Sequence, residues 1–297
     1  MVSSSTSSLY AAAVMLRGQA ITDLELASAI EVPTRLLAQE STSAGFDAAM
    51  TLAQLVPLSA TVDNNRQLAE TAIRKLAGLG AIDNEFVGRL AGTISELENA
   101  FVHCRPDAIA DLETRGKLLR QQWESRGPGL LAAMARLTET GLLAECASVV
   151  LVHPVLGGGG VPYMRHNLAV IEAMLTNPHA ELPETVRLGW LLSTLNLDLP
   201  IYSDVVPGDR LPLVGMLAML PVVLAASEQV EWCRLDVDTI ELAIGHWHIP
   251  IPESAIVASL LMRWWEMYQT AQPRWSVALA ALDQTLSEKH DWSVERS

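Results

Sequence analysis

The chain has 297 residues, half of them apolar, so it is long enough to bury one large core or two smaller ones. Acidic residues outnumber basic ones by 34 to 20, giving a net charge of −14. This balance disfavours nucleic acid as a partner, because nucleic-acid binders usually present a basic patch to the phosphates. The three cysteines are widely spaced and form no Cys-x-x-Cys, which is typical of free thiols in a reducing cytoplasm.

Two apolar stretches raise the question of a membrane. The N-terminal run has no basic residue ahead of it, so it does not have the pattern of a secretory signal. The longest uncharged run, 211–227, contains Pro212 and Pro221 and is shorter than the roughly 20 residues that span a bilayer. We therefore expect a cytoplasmic protein in which this run is a buried core helix.

Helical periodicity dominates the chain from its beginning. Thr22 followed by Glu25 predicts a capping box at a helix start, and Asp83 is placed to cap a second helix. Apolar residues at helical spacing then form several stripes, among them Phe86, Leu90, Ile94, Leu97 and Phe101. The segment 23–40 has the outline of a helix-turn-helix, although two short packed helices produce the same pattern without DNA.

The motif "WESRGPG", residues 123–129, predicts a helix that ends near Glu124 and a tight turn at Gly127-Pro128-Gly129. A turn of this kind would hold Glu124 and Arg126 at a helix end, where they can form the rim of a site. Ordinary punctuation between two helices explains the same residues.

The segment "VLVHPVLGGGGVPYMRHN", residues 150–167, is the strongest candidate for a site. Successive N–H groups of Gly157, Gly158, Gly159 and Gly160 can form an anion-binding nest, and a helix predicted to begin near Asn167 would add its dipole. Neither a P-loop nor a G-x-G-x-x-G motif is present, so the loop identifies no nucleotide. A hinge between helices, or close backbone packing, is the alternative.

Side chains beside this loop can complete a ligand site. Arg165 can donate a forked pair of hydrogen bonds to a phosphate or carboxylate, and Asn167 lies next to it. His153 and His166 are candidate general acids or bases. Glu124 or Asp198 would then orient the catalytic histidine.

The leucine stripe Leu188, Leu191, Leu195 and Leu199 predicts a further helix. Asn196 and Asp198 interrupt it and lie opposite the stripe on helical spacing. They are either exposed or, if this face is buried, held by a partner such as Arg165, because an unpaired buried carboxylate is costly.

Two further motifs contain metal-ligating residue types. His246 and His248 lie at the end of a predicted helix, and Asp236 and Asp238 form an Asp-x-Asp. Helix capping and dipole effects account for both pairs, and we predict no metal site.

Together these patterns predict a mainly α protein of about ten to twelve helices, either a multi-helix bundle or an α-solenoid-like array, with at most one short strand near 147–153. A boundary would divide it into an N-terminal subdomain, 1–145, and a tryptophan-rich subdomain, 146–297, unless the two form one continuous domain. No catalytic signature is present. We expect a helical binding protein whose partner is either another protein or a small ligand; the alternative is an enzyme acting on a phosphate- or carboxylate-bearing small molecule at Gly157–Gly160. The sequence indicates no particular cofactor.

Overall fold

The computed structural model describes residues 1–78, 80, 83–174 and 179–289, and it is mainly α-helical, as the sequence predicts. The described residues fall into two compact units that interleave along the chain. Unit 1 takes those within Met1–Leu118, Ser148–Gly159 and Val170–Leu175, and unit 2 takes those within Leu119–Ala147, Gly160–Ala169 and Thr176–Ser297.

Unit 1 contains five complete helices: α1 (Ser4–Leu16), α2 (Leu24–Ser43), α3 (Ala48–Leu58), α4 (Asn65–Ala77) and α5 (Asn84–Cys104). Helix α1 is buried from Thr6 to Val14, because its alanines and serines allow neighbours to approach from every side. The stripe from Phe86 to Phe101 forms the buried face of α5, which confirms that helix.

Side-chain caps begin all five of these helices. Asp83 caps α5, as predicted, by accepting a hydrogen bond from the N–H of Glu85. The cap of α2 is Asp23, which accepts from the N–H of Leu26, so the predicted capping box at Thr22 is wrong by one residue. The Thr22 hydroxyl instead donates to the carbonyl of Val155, 3.1 Å away.

Helix α6 runs without interruption over Ala108–Leu137, and the boundary between the units falls within it. The turn predicted at 127–129 is therefore wrong. Pro128 removes only one intrahelical hydrogen bond, and local packing holds the helix on both sides of it. The Trp123 ring lies directly over Gly127, where a Cβ would come within 2.5 Å of it.

Three short strands, β1 (Ser148–Val152), β2 (Gly160–Tyr163) and β3 (Leu168–Glu172), form one sheet in the order β1-β3-β2. The predicted strand at 147–153 is present, and the sequence missed the other two. The helix predicted near Asn167 is wrong: a single 3₁₀ turn, Met164–His166, ends at Asn167, whose φ is 47°, and β3 follows at once.

Unit 2 contains the remaining helices: α7 (Glu184–Ser193), α8 (Pro200–Ser203), α9 (Leu211–Gln229), α10 (Val237–His246), α11 (Ser254–Ala271) and α12 (Trp275–Lys289). In the described part of the chain, α9 is the one helix long and apolar enough to cross a membrane by length and composition, and 72% of its most apolar window is buried inside the protein. Helices α11 and α12 meet in an aromatic cluster in which Trp275 packs edge-on against Trp264 and Tyr268.

Candidate functional site

The glycine loop of unit 1 closes around the side chain of Glu172, a fully buried residue at the end of β3. Its carboxylate accepts hydrogen bonds from five consecutive backbone N–H groups, which we call the nest. Oε1 accepts from Val155 at 3.0 Å and Leu156 at 2.8 Å, and Oε2 accepts from Gly157 at 3.0 Å, Gly158 at 2.9 Å and Gly159 at 3.0 Å.

Glycine is required for this geometry. Gly157 and Gly158 have φ values of 85° and 146°, which side-chain-bearing residues rarely adopt, and these angles turn successive N–H groups towards one point. At Gly159 the limit is space, because an added Cβ would lie 2.7 Å from the Tyr10 hydroxyl and 2.8 Å from Leu156. Gly160 already belongs to β2.

The nest that the sequence predicted is therefore present, and its anion is part of the same chain. Two carboxylate oxygens that only accept hydrogen bonds match five converging donors. A phosphate or carboxylate from solution would have to compete with Glu172 for the same N–H groups.

His153 lies just before this loop, in a polar cluster of unit 1. Its ring packs edge-on against Phe101, with centroids 5.8 Å apart, and its Nε2 is 3.7 Å from Oδ2 of Asp23. Burial lowers the pKa of His153, although the Asp23 carboxylate opposes this effect. The carboxylate beside His153 is thus Asp23, and the predicted assignment of that position to Glu124 or Asp198 is wrong.

Arg105 holds Asp23 in place. Its Nε and Nη2 donate to the two carboxylate oxygens at 2.7 and 2.6 Å, and its Nη1 donates to Glu25 at 2.8 Å. Burial acts to raise the pKa of Asp23, but the hydrogen bonds from Arg105 and from the N–H of Leu26 outweigh it and leave the pKa lowered. Asp23 is therefore committed to a helix cap and an ion pair as well as to His153.

Glu124 and Arg126 lie within α6, away from any helix end. The Arg126 guanidinium donates to the carbonyls of Val230 and Glu231 at 2.9 and 3.1 Å, after α9 has ended. Glu124 is exposed. Arg126 thus anchors α6 to the end of α9 within unit 2.

The predicted site residues that follow the glycines all belong to unit 2. Arg165 is exposed and makes no ion pair with any residue in the described part of the chain, and His166 is half-buried. The amide of Asn167 donates to the carbonyl of Cys146 at 2.6 Å. The amide of Asn196 donates to the carbonyl of Gly141 at 3.0 Å, and Asp198 is half-buried. Asn167 and Asn196 thus each bind a backbone carbonyl of another loop of unit 2.

The histidines of unit 2 form a second cluster. The rings of His179 and His246 meet edge-on at 4.7 Å, and burial together with His179, Arg187 and His248 lowers the pKa of His246 to about 4. Within the described residues no group of three His, Cys, Asp or Glu side chains is arranged to hold a metal ion.

One surface feature of unit 2 was not predicted from the sequence. The leucine stripe predicted a helix continuing to Leu199, but α7 ends at Ser193 and a series of tight turns leads to α8. As a result Leu199, Ile201 and Val205 are 41%, 60% and 41% exposed. We call these three side chains the α8 surface.

The opposite side of the same segment is buried. Tyr202 and Val206 are only 2% and 4% exposed, and burial together with a hydrogen bond to Glu139 raises the pKa of the Tyr202 hydroxyl. Ile201 and Val205, like Tyr202 and Val206, are four residues apart, but their side chains face outwards. The signal available in the sequence was the run "LPIYSDVV", which is apolar on both faces of a helical turn.

Unit 1 has an open groove of about 430 Å³ between residues 63–66 and α5. Its floor consists of small residues, Gly88, Ala91, Gly92 and Ser95. The Asn65 amide at its edge is already bound to Ser95 at 3.0 Å and to Glu98 at 2.7 Å.

The chain matches no protein-family model, no curated protein and no solved structure.

Proposed function

We propose that this protein acts by binding a protein partner, and that the α8 surface is where the partner docks. The proposal rests on one observation: this segment has apolar side chains on both sides, of which Tyr202 and Val206 are buried and Ile201 and Val205 are exposed to solvent. A helical segment that is apolar all round is usually buried on all sides. Clustered exposed apolar side chains mark interaction sites more often than isolated ones do.

The surface is also held in a fixed form, which supports a role in binding. Tyr202 and Val206, only 2% and 4% exposed, bury the inner side of the segment in unit 2. Just after it, Arg210 donates to Asp283 at 2.7 Å and to Ser287 at 2.6 Å, which fixes the segment to α12. A preformed surface loses little conformational freedom on association, so more of the interaction energy is available for affinity.

The three cysteines are all free thiols, which suits a reducing compartment, and we include a cytoplasmic location in the proposal. The alternative, catalysis on an anionic small molecule at the glycine loop, relies on N–H groups that Glu172 occupies. Among the residues that the structure describes, none covers Leu199, Ile201 and Val205 to this extent, and for this reason the binding function is the one we propose.

A peptide-display selection tests this function. The purified protein is used to select binders from a random peptide library, and the selected peptides are measured against the double variant Ile201→Ser/Val205→Ser. Both changes remove apolar contact without altering charge. We expect affinity to fall about thirtyfold, the loss of about 2 kcal/mol that marks an interface hot spot, with stability changed by less than about 0.5 kcal/mol.

The matched control is Ile256→Ser/Met267→Ser, which removes two similarly exposed apolar side chains, 48% and 62% exposed, from α11. These changes should leave peptide binding intact. The proposal fails if no peptide is selected, or if the selected peptides bind the α8 variant as tightly as the original protein.

A further inference from the structure

We infer that the segment recognised by the α8 surface is basic: an apolar stretch of a partner protein that carries lysine or arginine. This inference rests on the proposed function and specifies its partner. It comes from the charges on and around α8 rather than from the apolar side chains.

Three aspartates accompany the α8 surface, and we call them the acidic rim. Asp198 and Asp204 are the chain neighbours of Leu199 and Val205, and Asp209 follows four residues after Val205. Asp204 and Asp209 are exposed, and Asp198 is half-buried. Residues 195–209 contain no lysine, arginine or histidine.

The rim has no cation of its own. The three carboxylates make no side-chain hydrogen bond or ion pair with any residue that the structure describes. The nearest basic residue in sequence is Arg210, but its guanidinium is bound to Asp283 and Ser287. The negative charge beside the apolar side chains is thus uncompensated within the described chain.

Uncompensated charge at the edge of an apolar surface selects the partner. A lysine or arginine gains a favourable interaction there, whereas an acidic segment is repelled. The net charge of −14 acts in the same direction at longer range by speeding the approach of a cationic partner. A second copy of this chain fits less well, because two identical surfaces would bring two acidic rims together.

Three synthetic peptides test the inference. They share one length and one set of leucine positions at helical spacing, and their remaining positions are all Lys, all Gln or all Glu. Fluorescence anisotropy measures their affinities for the whole protein at low and at physiological salt. We expect the order Lys, then Gln, then Glu, with the Lys advantage shrinking as salt rises, because exposed charges are screened.

The variant Asp198→Asn/Asp204→Asn/Asp209→Asn should lower affinity for the Lys peptide about tenfold, at about 0.5 kcal/mol for each exposed charge pair, and leave the Gln peptide unchanged. The matched control is Glu31→Gln/Glu96→Gln/Glu113→Gln, which removes the same charge from exposed positions in unit 1. It separates the acidic rim from net charge.

The outcomes distinguish the two proposals. If the Lys and Gln peptides bind equally and both lose affinity in Ile201→Ser/Val205→Ser, the basic partner is ruled out and the docking function remains. If the control variant weakens the Lys peptide as much as the rim variant does, net charge is the cause and the inference about the rim is overturned. If no peptide depends on Ile201 and Val205, both proposals fail.

Discussion

The glycine loop and the α8 surface differ in whether their chemical groups are satisfied within the chain. In the loop of unit 1, five N–H groups converge on one buried carboxylate, and both sets of groups find their partners there. On α8 of unit 2, three apolar side chains face outwards beside three carboxylates without a cation in the described chain. Both regions contain the kinds of residue that bind ligands.

The difference shows why the residue types in a segment are a weaker guide to function than whether their polar, charged and apolar groups already have partners within the chain. Hydrogen-bond donors already matched to an acceptor have little left to offer a ligand. Exposed apolar area and uncompensated charge can still gain free energy from a partner. We therefore expect the glycine loop to stabilise unit 1, and we propose the α8 surface as the binding site.

Replacing Glu172 with Gln is expected to have the largest effect on the glycine loop. Gln has the same shape, but its NH₂ group donates hydrogen bonds and would face N–H groups that also donate. Several buried N–H groups would lose their acceptor, at about 1–3 kcal/mol each. We expect a loss of about 4 kcal/mol in the free energy of unfolding, measured by urea denaturation.

Glu113→Gln is the control, because Glu113 is exposed in the same unit and its replacement should change stability by less than about 0.5 kcal/mol. If Glu172→Gln were as stable as the control, the nest would not depend on Glu172. The glycine loop would then be available to an anion from solution.

Much of the helical fold could be predicted because it depends on local patterns. The α5 stripe from Phe86 to Phe101 repeats at helical spacing, and every member is buried. The local pattern also predicts a turn at Gly127-Pro128-Gly129, but α6 continues through these residues. There Trp123 packs over Gly127, and Arg126 binds the carbonyl of Val230. Those contacts come from packing, which the turn residues themselves do not reveal.

The candidate site was predicted only in part, for the same reason. Three of the four predicted glycines, Gly157, Gly158 and Gly159, donate to the nest, whereas Gly160 belongs to β2, and the anion is fixed by the pairing of the loop with β3. One clue was available: Glu172 interrupts the apolar run "LAVIEAML", and a buried carboxylate needs partners. The α8 surface was hidden because Leu199 has helical spacing with Leu195, although the helix has already ended.

Replacing Gly159 with Ala is expected to have a smaller effect on the stability of the same loop. Its φ is not in the left-handed region, so the added methyl group acts through space alone, pressing on the Tyr10 hydroxyl, Leu156 and the Glu172 carboxyl carbon. Overpacking of this kind costs about 1–3 kcal/mol. We expect the thermal unfolding midpoint to fall and the buried nest to be disturbed.

Gly92→Ala provides the opposite control. Gly92 lies within α5, and a Cβ there would meet nothing within 4 Å. Alanine favours the helix over glycine, so this variant should be more stable by about 0.5–1 kcal/mol. Equal midpoints for the two variants would contradict the tight packing of the glycine loop.

Acid provides the mildest comparison, because each unit keeps one partly buried histidine neutral. In unit 1, Asp23 offsets part of the pKa depression of His153, whereas the groups around His246 in unit 2 all add to the depression. The folded-state pKa of His246, about 4, is below its ordinary value of 6.5, so the unfolded chain binds more protons between these two pH values. The stabilising contribution of neutral His246 is therefore complete above pH 6.5 and is lost as the pH falls towards 4.

The size of this effect is about 1 kcal/mol between pH 7 and pH 5, a value discounted because the ring is only partly buried. Urea unfolding at both pH values measures it in the original protein and in His246→Gln, which should lose less stability on acidification. His103→Gln, an exposed histidine at the end of α5, should behave as the original protein does. An unchanged pH dependence in His246→Gln would mean that neither burial nor the neighbouring His179, Arg187 and His248 lowers the pKa of His246 in the folded protein.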